Sequence, residues 1–358
     1  MTALVAFMNK LGVVVAADSA IEDKITRTVS CYKPKLFKLT DDPPVALLTY
    51  GTSNFMPSED HDSRLEVILK QYAAREMTAK DASTVNSTSQ FLLNTLEEDR
   101  VQFPKERQRH SGLHCLRYLF GDILEQNPRM FELLRRAAGT GERSARNIAL
   151  RRLEEFVKEE IRKLKPRRTP PAKTAKAIER VNETYGYDFG TYLLEETPLG
   201  AVSPPPSKRL LKRLLELGAL QLMTQGVVPN PEFLATLVFV GIGLEQETPE
   251  ICAFTLRGIL LDRLLCTRDL QRVVSDSNPG CFESWGLPGV DVDDIRKELE
   301  PQLPEADLET LAKQAKLFIE AASEVQHGEG DRMTIGGPTS VAQITKQHGF
   351  TWIEKGVE

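Results

Sequence analysis

Apolar residues follow two rhythms along the chain. At the start they form short unbroken runs, Thr2–Met8 and Gly12–Ala17, separated by the polar stretch Asn9-Lys10-Leu11-Gly12. Each run has ordinary strand length and the glycine-containing link has turn chemistry, so the pattern predicts a hairpin. Lys35–Leu39 and Val45–Gly51 are two further strand-like runs. From Leu65 the rhythm changes. Leu65, Ile68, Leu69 and Tyr72 recur at i, i+3, i+4 and i+7, which predicts an amphipathic helix laid over one face of a sheet.

Through residues 77–223 the helical rhythm dominates. Leu113, Leu116, Leu119 and Phe120 mark one apolar face and Leu133-Leu134 another. Ile148, Leu153, Phe156, Val157, Ile161 and Leu164 mark a third, stopped by Pro166. Thr169-Pro170-Pro171 and Ser203-Pro204-Pro205-Pro206 read as extended connectors around a short helical piece. Lys208–Met223 has leucines nearly all round, the mark of a helix buried on more than one side. Strand-like runs return at Leu234–Ile242 and Ile251–Ile259 with turn residues between them, and helical spacing at Asp293–Leu299 and Glu305–Glu324. A last pair of strands, Val341–Thr345 and Phe350–Ile353, flanks the turn Lys346-Gln347-His348-Gly349. The expected organisation is an α+β core from 1–76 and 224–358, interrupted by a mainly helical insertion at 77–223.

Composition adds exclusions. A chain of 358 residues with 41% hydrophobic content can bury a large core. A net charge of -5 argues against a globally electrostatic nucleic-acid binder. Arg143–Arg168 is dense in Arg and Lys, but Glu154, Glu155, Glu159 and Glu160 are interleaved, which reads as a solvated, salt-bridged helix. No apolar run is long enough for a membrane span, and no charged-then-apolar leader opens the sequence. The five cysteines are scattered and read as reduced thiols of a cytoplasmic protein. His110 and His114 are the only histidine pair at helical spacing, and no metal or cofactor is expected. Gly241-Ile242-Gly243 reads as a strand-end turn.

Candidate chemistry lies at Thr2. When Met1 is trimmed, Thr2 carries a free α-amine, titrating near pH ~8, beside its own hydroxyl. That amine can serve as the base that activates the hydroxyl, with no histidine required. The features that follow are Gly12, the run Val13–Ala17 ending in Asp18-Ser19, then Lys35–Leu39, then Val45–Tyr50 closing on Gly51. Their order resembles the N-terminal part of proteasome β-type subunits and of uncharacterised proteasome-like bacterial proteins, within the N-terminal nucleophile hydrolase superfamily.

The resemblance implies a four-layer αββα sandwich. It makes Thr2 the nucleophile and base, has Asp18 orient a lysine, and has Lys35 lower the proton affinity around the amine and hydroxyl, with Lys33 the nearby alternative. Gly51 would offer a backbone N–H to the oxyanion. Active members add a serine and an aspartate, for which Asp331 with Thr334, or Asp276 with Ser277, are the candidates. The pattern departs at Ala20-Ile21-Glu22, where family members carry small and hydroxylated side chains at positions that hold an extended peptide by backbone pairing. The implied function is an amide-bond hydrolase acting on a peptide or other amide, in a homo-oligomer, with no nucleic-acid or membrane partner. A catalytically silent assembly protein and a small-molecule amidase with the insertion capping its cleft are the alternatives.

Overall fold

The computed structural model describes residues 3–22, 29–51, 65–140, 142–164, 171–202, 205–224, 235–261, 263–286, 292–328 and 335–357. The chain divides into two compact units. Unit 1 is Met1–Glu98, Glu232–Leu256 and Thr267–Glu358, and unit 2 is Asp99–Pro231 with Arg257–Cys266.

Unit 1 begins with the hairpin of β1 (Leu4–Asn9) and β2 (Gly12–Ala17), in register from Leu4 opposite Ala17 to Asn9 opposite Gly12. Both strands are buried along their whole length, because they are apolar on both faces and both faces are covered. Leu4, Ala6, Met8, Val13, Val15 and Ala17 share one core cluster with Leu36, Ala46, Leu48, Val238 and Val240. Ala3, Val5, Phe7, Val14 and Ala16 face the other way, onto Leu303, Leu311, Ala315 and Ile319. At roughly 1.5–3 kcal/mol for each large apolar side chain removed from water, this double burial is the main force holding the hairpin in place.

The hairpin continues into β3 (Ala20–Glu22) and β4 (Val29–Tyr32), which pair with each other. Then come β5 (Leu36–Thr40) and β6 (Val45–Gly51), helices α1 (Leu65–Glu76) and α2 (Val85–Glu98), and, after unit 2, β7 (Ala235–Gly241), β8 (Glu250–Leu260), β9 (Arg263–Val273) and β10 (Gly280–Trp285). The chain ends with α8 (Val292–Leu299), a short 3-10 helix (Glu300–Glu305), α9 (Leu308–Gly328), β11 (Ser340–Thr345) and β12 (Gly349–Glu354). Among the described residues the strands form one sheet of order β10-β1-β2-β11-β12, a second of order β5-β6-β7-β8-β9, and the small β3-β4 pair. All pairings with a described register are antiparallel. The inter-sheet cluster lies between the two large sheets, α9 covers the far side of the first, and α1 and α2 pack on β5 and β7 of the second.

Unit 2 is built from α3 (Lys105–Gln126), α4 (Pro128–Thr140), α5 (Arg143–Leu164), α6 (Pro171–Glu195) and α7 (Lys208–Thr224) around one apolar cluster that includes Leu116, Leu153, Val157, Val181, Phe189 and Leu220. Its core side chains recur at helical spacing in every helix. Among the described residues no helix is long and apolar enough to cross a membrane.

The structure departs from the sequence expectations in several elements. The first strand starts at Leu4 rather than Thr2, which lies outside the described residues. The piece between the proline connectors is a helix of 25 residues. Pro171 opens it, at a position where a missing N–H costs nothing. The strands β3, β4, β9 and β10 were not expected. β9, Arg263–Val273, is a sheet edge whose many charged residues hide the strand pattern and also discourage edge-to-edge association. The helix Val85–Glu98, inside the stretch read as an insertion, belongs to unit 1.

Candidate active site

β1 and β2 end side by side, and this brings Ala3 against Asp18. The Asp18 N–H donates to the Ala3 carbonyl at 3.1 Å, and the Ala3 N–H donates to Asp18 Oδ1 at 2.8 Å. Lys35 sits immediately before β5, and its Nζ donates to the same Oδ1 at 2.7 Å. The backbone of Lys35 is held in turn, since its carbonyl accepts the Thr49 N–H of β6 at 2.9 Å. A third segment closes the site, where the Gly336 N–H donates to Asp18 Oδ2 at 3.2 Å and the Gly336 carbonyl accepts the N–H groups of Ser19 and Ala20.

Asp18 is 1% exposed and Lys35 4%. Burial holds the Lys35 ammonium below the ordinary lysine value of 10.5, and the adjacent Asp18 carboxylate partly offsets that fall. The site is therefore a buried ion pair whose carboxylate accepts the Ala3 N–H and whose lysine gives up its proton below the ordinary value. An ion pair in such surroundings strongly penalises the loss of either partner.

Gly51 ends β6 opposite Ala235 with φ +89°, two residues beyond the Thr49 N–H that holds Lys35. Lys33 is exposed and its N–H donates to the Ser19 carbonyl, so of the two lysines it is Lys35 that meets Asp18. Asp276 and Ser277 lie at the opposite end of β1. Asp276 is exposed and bonds Lys10 of the hairpin turn, while the Ser277 hydroxyl is 3.0 Å from that of Ser275. A strand of six residues spans about 20 Å, so this pair is not brought to Asp18. Thr2, Asp331 and Thr334 lie outside the described residues.

Sequence reasoning missed two contributors. One is the Gly336 N–H, whose contact with Asp18 depends on the long-range pairing of β11 with β2. The other is Ser19, whose buried hydroxyl has no hydrogen-bond partner among the described residues. Gly337 has φ +75°, and a Cβ there would fall 2.4 Å from the Tyr32 ring and 2.8 Å from Ser19 Oγ. A Gly337→Ala chain is therefore expected to lose about 1–3 kcal/mol of stability, read as a lower urea midpoint with an unchanged slope. Among the described residues no group of three or more His, Cys, Asp or Glu side chains is placed to hold a metal ion.

Comparison with known proteins adds little to this geometry. No family model matches the chain, and no curated protein matches it. Among solved structures it is similar to Anbu (ancestral beta-subunit) from Yersinia bercovieri, with TM-score 0.40 and 9% identity over 99% of this chain and 88% of that one. It is also similar to an Anbu (Gly-1) mutant from Hyphomicrobium sp. strain MC1, with TM-score 0.37 and 10% identity over 100% and 89%. These values place the chain in no family. The resemblance to proteasome β-type subunits and the N-terminal nucleophile hydrolase superfamily is corrected accordingly: with no matching family model and only these distant structural neighbours, it does not stand as an assignment. Its basis was a few short motifs in order, and such motifs recur on unrelated chains.

Proposed function

We propose that the chain is an amide-bond hydrolase of the threonine-peptidase type, with Thr2 as nucleophile once Met1 is removed. The observation that carries this reading is the buried Asp18–Lys35 pair bonded to the N–H of Ala3, the residue covalently joined to Thr2. A cation fixed there favours loss of the hydroxyl proton and keeps the α-amine neutral enough to accept it.

In the proposed reaction the Thr2 hydroxyl oxygen adds to the amide carbonyl carbon and its proton passes to the Thr2 amine. The Gly51 N–H stabilises the oxyanion that forms. Collapse breaks the C–N bond, the departing amine takes the proton from the Thr2 ammonium, and water then hydrolyses the ester. Asp331 and Thr334, a few residues before Gly336, are the proposed supporting pair in preference to Asp276 and Ser277. The proposal extends to a four-layer sandwich for unit 1, to a peptide or other amide as substrate, and to assembly as a homo-oligomer.

The test is hydrolysis of a panel of fluorogenic peptide amides by the full chain and by Thr2→Ala. The expected result is turnover by the parent chain and a loss of roughly 10³-fold or more in the variant. Equal rates from the two chains, or no turnover by the parent, would contradict the reading and leave the assembly role. A pH profile adds a second check. Because burial lowers the Lys35 pKa, the alkaline limb of the rate is expected to fall below the ordinary lysine value of 10.5.

A further inference from the structure

The net charge of -5 conceals an uneven distribution. Unit 2 contains 27 lysines and arginines against 17 acidic residues, a net charge of +10, while unit 1 contains 19 against 34, a net charge of -15. The basic residues also differ in kind. Arginine outnumbers lysine 19 to 8 in unit 2, whereas lysine outnumbers arginine 12 to 7 in unit 1. The whole-chain charge that argued against a nucleic-acid partner is thus the sum of an acidic unit and a strongly basic helical one.

Within unit 2, α5 carries seven cations interleaved with four glutamates, whereas the four cations of α7 stand beside a single acid. Lys208, Arg209, Lys212 and Arg213 fall within six residues, and the first three are exposed. They make two like-charge pairs at i, i+4, an arrangement that weakens a helix, and Glu216 is the one acid in α7. The described ion pairs of this unit join α3 to the α6 region or near neighbours on α4 and α5. Among the described residues none involves α7. Repulsion left standing on an exposed helix face is a cost that an external polyanion removes.

We propose that the helical unit 2 is a docking surface for single-stranded nucleic acid, with the α7 cations as its electrostatic anchor. Guanidinium groups match phosphate oxygens with two parallel hydrogen bonds, which fits the arginine bias of this unit. Exposed rings supply the second component. Tyr187 on α6 is 84% exposed and Phe131 on α4 39%, and aromatic faces in a basic setting stack unpaired bases. An anionic bilayer is the poorer fit, because it rewards an exposed apolar face and Leu210, Leu214, Leu215 and Leu217 of α7 are buried. This inference stands apart from the hydrolase reading and survives its failure.

The experiment is fluorescence anisotropy of the full chain with a labelled oligouridylate of about 20 nucleotides, titrated over a range of salt. The expected result is binding at low salt with a negative log–log salt slope of about 0.7 per phosphate contacted. Lys208→Glu, Arg209→Glu and Lys212→Glu together are expected to weaken it about tenfold or more. The same reversal of Lys10, Lys297 and Lys313, exposed in unit 1, is expected to leave it unchanged. Should the reversed chain melt at a lower temperature, the matching glutamine substitutions read the same loss. Absence of binding at low salt, binding indifferent to the α7 substitutions, or better competition by polyglutamate or phosphatidylserine vesicles than by unlabelled oligouridylate would overturn the proposal.

Discussion

Lys35→Met is expected to destabilise the chain by about 3–5 kcal/mol, the cost of leaving a buried carboxylate without its partner, and to abolish the proposed amide hydrolysis. Asp18 would keep the N–H donors of Ala3 and Gly336, but its charge would stand alone in a site 1% exposed. Asp18→Asn leaves the complementary problem, a buried ammonium with no anion. The double variant removes both charges and is expected to be more stable than either single one, so urea unfolding of the four chains yields a coupling energy between the two positions. Equal losses that simply add would contradict a tight pair.

The pH dependence of stability is expected to have the opposite sign to that of the proposed activity. Folded Lys35 gives up its proton at a lower pH than the unfolded side chain, so between the two values the unfolded chain binds more protons. Stability contributed by this group therefore rises with pH up to about 10.5. The proposed activity, which needs the ammonium, is expected to fall over the same interval. The combination separates loss of a charged group from unfolding.

Much of the layout around this pair was legible in the sequence. Unbroken apolar runs up to Ala17 mark strands buried on both faces. The roles of Asp18 and Lys35 come only from an order of motifs similar to that of proteasome β-type subunits, since each residue alone reads as an ordinary strand-end carboxylate or a solvated lysine. The choice between Lys33 and Lys35 was less plain, because two residues of offset reach the same strand end, and it is the backbone bond from Thr49 to the Lys35 carbonyl that fixes which ammonium turns inward. Gly336 was out of reach, since its contact with Asp18 joins residues separated by 318 positions and depends on β11 pairing with β2.

The strands that escaped notice fail the apolar test for physical reasons. β9 is a charged sheet edge, and β3 and β4 form a short pair whose Cys31 and Tyr32 are exposed. The prolines at its flanks read as connectors, so the sequence pattern shortens α6, and Gly186 and Gly190 lie within it. Packing of Val181, Tyr185, Phe189 and Leu193 on one face overrides those weak formers.

Thr2 is the proposed nucleophile, and one measurement reaches it directly: intact mass and N-terminal sequencing of the full chain, before and after treatment with a peptide epoxyketone, which reacts with an adjacent amine and hydroxyl. The expected result is loss of Met1 and a single adduct on Thr2, absent from Thr2→Ala and strongly slowed in Lys35→Met under conditions where that variant is folded. A chain with Met1 removed that forms no adduct, or forms it equally in Thr2→Ala, would contradict it.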